Sequence, residues 1–264
     1  MNNNASRALI LCLAAAGWAA SPTASADLTL TGRSSVSSIG MPVIGKETLQ
    51  IHNKQLRRDL IDRGRAYSFL YDLGKREVAV MDHALRQATI YSMPSKVNTP
   101  EARAVRKDLK LELDKTDRKH ALQEWVCEEH KLDASIPTEI GQDKAVFRLA
   151  GTVWLAAGTP EQKEMNALRK AAEAPDFLPG VPIQAKISED QALVVAEVIR
   201  RLSGKGMLCA LDVESQYEGS GRMVELARKV ATRFGLTYDS YSTDKLADEA
   251  FQIPEGYKRV SAPR

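Results

Sequence analysis

Residues 65–82, RAYSFLYDLGKREVAVMD, contain the pattern that decides the fold. Every second residue from Tyr67 to Tyr71 is aromatic, a glycine-containing turn follows, and Val78 and Val80 resume the alternation. A period of two is typical of a strand with one buried face. Two such runs joined by a short turn predict an antiparallel hairpin.

The same pattern extends over residues 27–93, where turn signals recur about every ten residues. We predict an N-terminal β-meander there rather than βαβ units, because parallel strands need a long and usually helical connection. Further strands are predicted at residues 109–114, 125–132 and 147–156. The last of these is apolar on both faces, which predicts a central strand covered on both sides.

Thr99-Pro100 is a helix-start signal that can support only a turn or two, and longer helical periodicity appears in the second half of the chain. Thr159-Pro160 and a capping box at Ser188 start two predicted helices. A third apolar stripe at residues 223–234 ends at Gly235, and a last strand is predicted over residues 236–241. The sequence therefore predicts an α+β fold in which a large curved antiparallel sheet, an incomplete β-barrel, is covered by two or three amphipathic helices.

The domain organisation is predicted to be simple. No segment rich in Pro, Gly and Ser divides the chain, so residues 27–264 are predicted to form a single β-rich domain. Within it, residues 158–204 would form the helical cover and residues 205–258 the closing strands and helix. A chain of this length can bury a large core without help from metals or many disulfides.

The first 26 residues are predicted to be a cleavable signal peptide. Arg7 ends a polar start, residues 8–20 are apolar, and Ala24 and Ala26 provide the small residues that signal peptidase requires before the cut. The apolar run of about 13 residues is shorter than the roughly 20 that cross a bilayer, which disfavours the alternative of a membrane anchor. Cys12 lies inside this run behind bulky residues and is not predicted to be lipidated. The protein is therefore expected to be periplasmic, or secreted.

Two cysteines remain after the predicted cut, Cys127 and Cys209. An even pair in an oxidising compartment favours a disulfide. The alternative is a pair of buried free thiols, which behave as small hydrophobic side chains. We predict the disulfide.

Net charge limits the class of partner. The chain has 37 basic and 34 acidic residues, a net charge of +3, which gives no reason to expect nucleic acid. No second apolar stretch approaches the length of a transmembrane helix. The mature chain is therefore predicted to have no transmembrane segment.

Residues that could perform chemistry do not occur in telling combinations. The four histidines do not have the spacing of a metal site and are predicted to lie on the surface: His52, His83, His120 and His130. No metal or cofactor is therefore expected. Aspartates recur at intervals of ten beside turns, where their side chains bond the local backbone: they are Asp62, Asp72 and Asp82. No nucleophile is paired with a base at a telling spacing, so no catalytic residue is predicted.

Two further features have a functional and an ordinary interpretation. The stretch 219–221 (GSG) could hold a phosphate at a helix start, but it lacks the lysine of known phosphate loops and is predicted to be a turn that begins a helix. The basic cluster could meet anionic lipid, although a solvated sheet edge protected by charge is the more ordinary interpretation. Its members are Arg57, Arg58, Arg63 and Arg65.

The whole mature chain resembles an exported bacterial family, domain of unknown function 4412. The resemblance rests on the order of four motifs, at residues 71–82, 125–129, 151–160 and 251–258. It implies a fold similar to the periplasmic lipoprotein carriers (LolA/LolB-like), whose concave apolar face can hold acyl chains. The family provides no catalytic residues to transfer, and this chain departs from many members in lacking a lipobox.

The leading hypothesis is therefore a non-enzymatic binding or carrier protein for a lipid or another apolar small molecule. Its cavity would be lined by Tyr67, Phe69, Tyr71, Met81 and Tyr91 of the sheet and by Val195 and Ile199 of the helix after Ser188. The alternative is an envelope scaffold or protein-interaction module with a solid core, in which the same residues are simply packed together. An enzyme is the third hypothesis.

Overall fold

The computed structural model describes residues 27–38, 41–62, 64–93, 104–105, 107–171, 189–229 and 231–262. The predicted signal peptide lies outside these residues. The strands are β1 (Leu28–Ser38), β2 (Met41–His52), β3 (Gln55–Asp62), β4 (Arg65–Asp72), β5 (Glu77–Asp82), β6 (Gln87–Ser92), β7 (Lys110–Leu122), β8 (Trp125–Ile140), β9 (Asp143–Ala156), β10 (Met207–Gly219), β11 (Thr232–Ser242) and β12 (Lys258–Ser261). The helices of the same part of the chain include α1 (Met165–Ala171), α2 (Glu189–Ser203) and α3 (Arg222–Arg228), and 3₁₀ turns lie at Pro160–Glu164 and Asp248–Phe251.

All twelve strands belong to one open sheet in the order β12-β6-β5-β4-β3-β2-β1-β11-β10-β9-β8-β7. Every pair is antiparallel except β12 with β6, which is parallel. The sheet therefore consists of two meanders, β1–β6 and β7–β11, joined where β1 pairs with β11. The predicted large antiparallel sheet and the N-terminal meander are confirmed.

The register of β1–β6 defines two faces. Directly opposed residues share a face in an antiparallel sheet, so Leu30, Leu49, Arg58, Phe69 and Val80 form one cross-strand row. We call this side the inner face. Almost all of its large side chains are buried in the main hydrophobic core. The residues between them, such as those at positions 57, 68 and 81, lie on the outer face.

The sheet is strongly curved at its second meander. Trp125, at the start of β8, stacks on Tyr241 of β11 with 3.9 Å between ring centroids. Three strand spacings separate β8 from β11, or roughly 14 Å in a flat sheet at about 4.8 Å per strand. The contact therefore requires the sheet to bend toward itself, which makes the inner face concave.

Two helices cover part of this inner face. Helix α1 packs against β3 and against α2, and α2 also reaches β10. Ala167 and Ala171 of α1 and Val194, Val198 and Leu202 of α2 join the main core. No helix in the described part of the chain has both the length and the apolar character needed to cross a membrane.

Two sequence predictions are wrong, one about the extent of the third helix and one about the position of strand β9 in the sheet. The third helix ends at Arg228, and Phe234 and Gly235 lie in strand β11. Gly235 does not stop a helix; a Cβ there would lie 2.4 Å from the hydroxyl oxygen of Ser35, so its small size serves the pairing with β1. Strand β9 alternates between buried and half-buried residues and lies third from a sheet edge, so it is not central.

Cys127 and Cys209 form the predicted disulfide, with 6.3 Å between their Cα atoms. They belong to β8 and β10, the two strands that flank β9. Leu155, near the end of β9, pairs with residues next to each cysteine. The bond therefore joins the two neighbours of β9 close to the point where β9 ends.

The C-terminal segment, residues 243–262, crosses the outer face of the first meander. The 3₁₀ turn Asp248–Phe251 contacts β3, and β12 then extends the sheet beyond β6. Ile253 and Tyr257 pack on a small outer cluster that contains Leu70 and Met81. This segment covers outer-face residues that the sequence alone presents as solvent-facing.

Candidate functional site

The predicted cavity residues only partly come together. Tyr67, Phe69 and Tyr71 are buried on the inner face, and Tyr91 and Ile199 pack against the same core. Met81 lies on the outer face with Leu70, Ala79 and Ala88. Val195 packs in a separate small cluster with Val36 and Phe234.

The placement of Met81 corrects the predicted set. Val78 and Val80 of the same strand point inward, so the period of two sends Met81 to the other side. That an open cavity lies between the sheet and α2 stays a prediction.

The inner face carries one ion pair that the sequence analysis did not single out. Arg58 of β3 and Glu47 of β2 are 1% and 2% exposed. The Nε and Nη2 atoms of Arg58 donate hydrogen bonds to the two carboxylate oxygens of Glu47, each at 3.1 Å. Such a fork-shaped contact is the geometry in which a guanidinium binds a carboxylate most specifically. We call these two residues the inner pair.

Aromatic rings surround the inner pair. The guanidinium carbon of Arg58 lies 5.6 Å from the centroid of Phe69. Burial lowers the pKa of Arg58, but attraction and hydrogen bonding by Glu47 outweigh this effect and raise the pKa. Burial, with the nearby charge of Glu47, raises the pKa of Tyr238. The cluster therefore contains a charged guanidinium, a carboxylate and a neutral phenol.

Among the described residues, the inner pair leaves one donor nitrogen of Arg58 without an acceptor. Nη1 of Arg58 is buried and has no hydrogen-bond partner in the described part of the chain. A buried N–H group without an acceptor is costly, by about 1–3 kcal/mol or more when the group is charged. An acceptor atom of a bound ligand would satisfy this buried donor and so account for its position.

A signal for this pair was present in the sequence. Arg58 is in phase with Leu56 and Leu60, and Glu47 is in phase with Leu49. Alternation therefore assigns both charges to the buried face. The interpretation of the arginine cluster as a solvated edge is wrong for Arg58, because the period of two in β3 places this side chain on the buried inner face.

The outer face carries a second polar cluster, centred on His52. Its Nδ1 lies 2.6 Å from a carboxylate oxygen of Asp27, and its Nε2 lies 2.9 Å from Asp248. The other oxygen of Asp27 accepts a hydrogen bond from the backbone N–H of Leu246. The hydrogen bond to Asp27 is the main cause that raises the pKa of His52. The predicted surface position of His52 is wrong, because the C-terminal segment buries it.

His83 forms the second half of this cluster. Its Nε2 lies 2.7 Å from the hydroxyl of Ser68, and its Nδ1 lies 2.6 Å from the hydroxyl of Tyr257. Ser68 also donates to Asp59, which in turn accepts hydrogen bonds from Arg57. We call these residues, together with Asp27, His52 and Asp248, the outer network.

The contact between Ser68 and His83 resembles a nucleophile–base pair, but its proton arrangement differs. Asp59 can only accept a hydrogen bond, so the single hydroxyl proton of Ser68 points to Asp59. The Nε2 atom of His83 must then donate to Ser68, which leaves Nδ1 to accept from Tyr257 when the ring is neutral. A base that already donates to the serine cannot take its proton. Ser68 is also buried, which fits a structural role.

A cleft of about 460 Å³ lies beside the outer network. Its apolar lining includes Leu70, Ala79, Ile90, Phe251 and Ile253, and its charged lining includes Asp72, Lys75, Glu77 and Arg259. Tyr71 is the one member of the predicted cavity set that reaches it. The cleft is bordered by the C-terminal segment and is of mixed polarity, so it is a different feature from the predicted apolar cavity.

The remaining sequence features have structural roles. Asp72 and Asp82 accept hydrogen bonds from turn N–H groups, as predicted, while the side chain of Asp62 lies outside the described residues. At the start of α3, the carboxylate of Asp143 accepts a hydrogen bond from the N–H of Met223 and occupies the position that a phosphate would need. Among the described residues, no three metal-ligating side chains form a cluster.

Comparisons with known proteins do not identify the chain. No protein-family model matches it, and no curated protein does. Among solved structures, it is similar to that of PNGF-II in a C2 space group, with a TM-score of 0.23 and 10% identity over 90% of this chain and 31% of that one. The chain thus spans about a third of the length of that structure, and a likeness this weak carries no argument about function.

Proposed function

We propose that this protein is an exported, non-enzymatic binding or carrier protein for a lipid or another hydrophobic ligand. The observation that carries the proposal is the concave inner face, where the charged guanidinium of Arg58 lies beside the buried ring of Phe69 and one of its nitrogens has no acceptor among the described residues. Burying an ion pair costs more than packing apolar side chains of the same size. If this core served stability alone, replacing the ion pair by apolar side chains would make the protein more stable.

The size of the sheet supports this proposal. Twelve strands at about 4.8 Å extend over roughly 50 Å, whereas a helix covers about 10 Å. Helices α1 and α2 therefore cover only part of the inner face. We infer an incomplete β-barrel, similar to the lipoprotein carriers, that keeps room for an apolar ligand under this helical cover.

Export to an oxidising compartment is part of the same proposal. The disulfide between Cys127 and Cys209 fits such a compartment, because cytosolic thiols are kept reduced. The pattern of residues 1–26 provides the route. We propose a periplasmic location, with secretion as the alternative.

A scaffold or protein-interaction module is the second candidate. Phe69, Tyr71 and Leu49 are buried almost completely, as they would be in a solid core. The exposed side chains of Ile44 and Ile61 on neighbouring strands would then provide an apolar contact for a partner. The two candidates differ in whether the interior holds a ligand cavity or is a solid core.

Uptake of a neutral fluorescent probe tests the proposal. Protein purified without detergent should bind N-phenyl-1-naphthylamine, and native mass spectrometry should find a co-purifying apolar molecule. A clean apo mass together with no uptake of the probe would refute the carrier function.

Two alanine variants localise the binding. Ala134→Phe adds a ring to the buried inner core, and Ala84→Phe adds the same ring at an exposed turn. If the interior holds a ligand, Ala134→Phe should fold and lose uptake while Ala84→Phe keeps it. If the core is solid, overpacking by Ala134→Phe should instead destabilise the protein by about 1–3 kcal/mol.

A further inference from the structure

The hydrogen bonds of Arg58 indicate which ligand chemistry the inner face selects. Glu47 uses the Nε and Nη2 atoms of the guanidinium, and Nη1 remains buried without an acceptor in the described part of the chain. A guanidinium only donates hydrogen bonds. The missing partner must therefore supply an acceptor atom, and oxygen is the acceptor that lipids commonly carry.

The charges at the site indicate whether the acceptor oxygen of the ligand is charged or neutral. Glu47 already neutralises Arg58, since the two residues form a fork-shaped pair that is almost fully buried. A ligand carboxylate or phosphate would add an uncompensated negative charge to this almost fully buried site, which is costly. A carbonyl oxygen of an ester or amide would satisfy Nη1 without adding charge.

The side chains around Arg58 indicate the polarity of the remainder of the ligand. Arg58 lies in a cross-strand row with Leu49, Phe69 and Val80, and each of these side chains is buried in the main core. Helix α1 packs against the strand that carries Arg58. A ligand that reaches Nη1 must therefore be apolar along most of its length.

From these three observations, and resting on the proposed carrier function, we propose that the inner pair selects ligands with a neutral carbonyl oxygen on an otherwise apolar body. Acyl esters and acyl amides belong to this class. Free fatty acids, which are anionic, and plain hydrocarbons, which have no acceptor, do not.

Displacement of N-phenyl-1-naphthylamine by molecules of matched chain length tests this selectivity. The competitors are methyl palmitate, palmitate and hexadecane, delivered from cyclodextrin at the same load. Because a hydrogen bond from a charged donor is worth about a factor of ten or more in affinity, the ester should displace the probe at a concentration at least about tenfold lower than the other two.

A paired substitution separates selectivity from folding. Glu47→Leu/Arg58→Met replaces the inner pair by apolar side chains, which proteins often tolerate. This variant should keep its affinity for hexadecane and lose the preference for the ester. The matched control, Asp133→Leu/Arg148→Met, removes a half-exposed ion pair on other strands and should leave the preference unchanged.

The outcomes distinguish this inference from the proposed function. Equal displacement by the ester and hexadecane in the wild-type protein would overturn the inference and leave the carrier function standing, with trapped water as the partner of Nη1. Tightest binding of palmitate would also overturn it, because the site would then accept an anion. No uptake of the probe at all would remove both proposals.

Discussion

Arg57 and Arg58 are neighbours in β3 and have opposite environments. Arg58 points to the inner face, is 1% exposed and binds Glu47. Arg57 points to the outer face, is 22% exposed and donates to Asp59 and to the carbonyl oxygen of Ala250. One residue belongs to a closed pair in an apolar interior, and the other to a network that holds the C-terminal segment.

The difference shows how the two faces of one strand can have separate tasks. Removing one partner of a fully buried pair leaves a charge without water, whereas a half-buried network can recover solvent. The inner pair contains no histidine, while the outer network contains His52, whose pKa is raised by its hydrogen bond to Asp27. We therefore expect the inner pair to dominate stability and the outer network to dominate its pH dependence.

The largest effect is expected for Arg58→Met. It leaves Glu47 buried and unpaired, and the free energy of unfolding should fall by about 4 kcal/mol. Arg57→Met, the matched control in the same strand, should cost about 1 kcal/mol, because Asp59 keeps the hydrogen bond from Ser68 and contact with water. Urea unfolding followed by circular dichroism measures both values. Equal losses would erase the contrast between the two faces.

The double variant Glu47→Leu/Arg58→Met sharpens this result. Replacing both charges removes the uncompensated carboxylate, so the loss should shrink to within about 1 kcal/mol of the wild-type protein. A double variant as unstable as Arg58→Met alone would mean that packing around Phe69, rather than charge, controls this region.

The second effect concerns pH and His52. Its pKa is raised in the folded protein, so the protonated ring stabilises the fold below the unfolded pKa of about 6.5, and this contribution is lost as pH rises through the higher folded pKa. His52→Gln should therefore lose about 2 kcal/mol near pH 6 and less near pH 9. Asp248→Asn is the milder control, because Asp248 is 79% exposed. A constant difference across the pH range would contradict the assignment.

The smallest effect is expected for Tyr257→Phe. The substitution keeps the ring that packs on the outer cluster and removes the hydroxyl that lies 2.6 Å from His83. The cost should be about 1 kcal/mol. Hydrogen exchange should become faster at the amides of β12 that follow Tyr257, while the amides of β3 stay protected. Uniformly faster exchange would show that the C-terminal segment does not open by itself.

Sequence patterns predicted the local structure well wherever one physical cause dominated. The alternation from Tyr67 to Val80 predicted the hairpin of β4 and β5, because period-two burial is a property of the strand itself. The turn roles of Asp72 and Asp82 and the disulfide also followed from short-range chemistry and from counting cysteines. The same alternation could have identified Arg58 as buried.

Predictions failed where a distant segment changed the environment. Residues 229–235 continue an apolar helical stripe, but pairing of Phe234 with Val36 of β1 extends the sheet instead. Residues 147–156 are apolar on both faces, which predicted a covering layer over β9, yet Arg118 and His120 of β7 contact the ring of Trp154. His52 became buried because residues almost 200 positions later cross it.

The amino-acid sequence alone determined the strands of the N-terminal meander and the pairing of the two cysteines, because these properties depend on period, composition and nearest neighbours. Only the tertiary structure decided that Arg58 meets Glu47 while its Nη1 has no acceptor among the described residues, and that the C-terminal segment encloses His52. The contact of His52 with Asp248 joins residues 196 positions apart, and that of Arg58 with Glu47 joins two neighbouring strands. Their geometry follows from how the sheet bends, which no local pattern encodes.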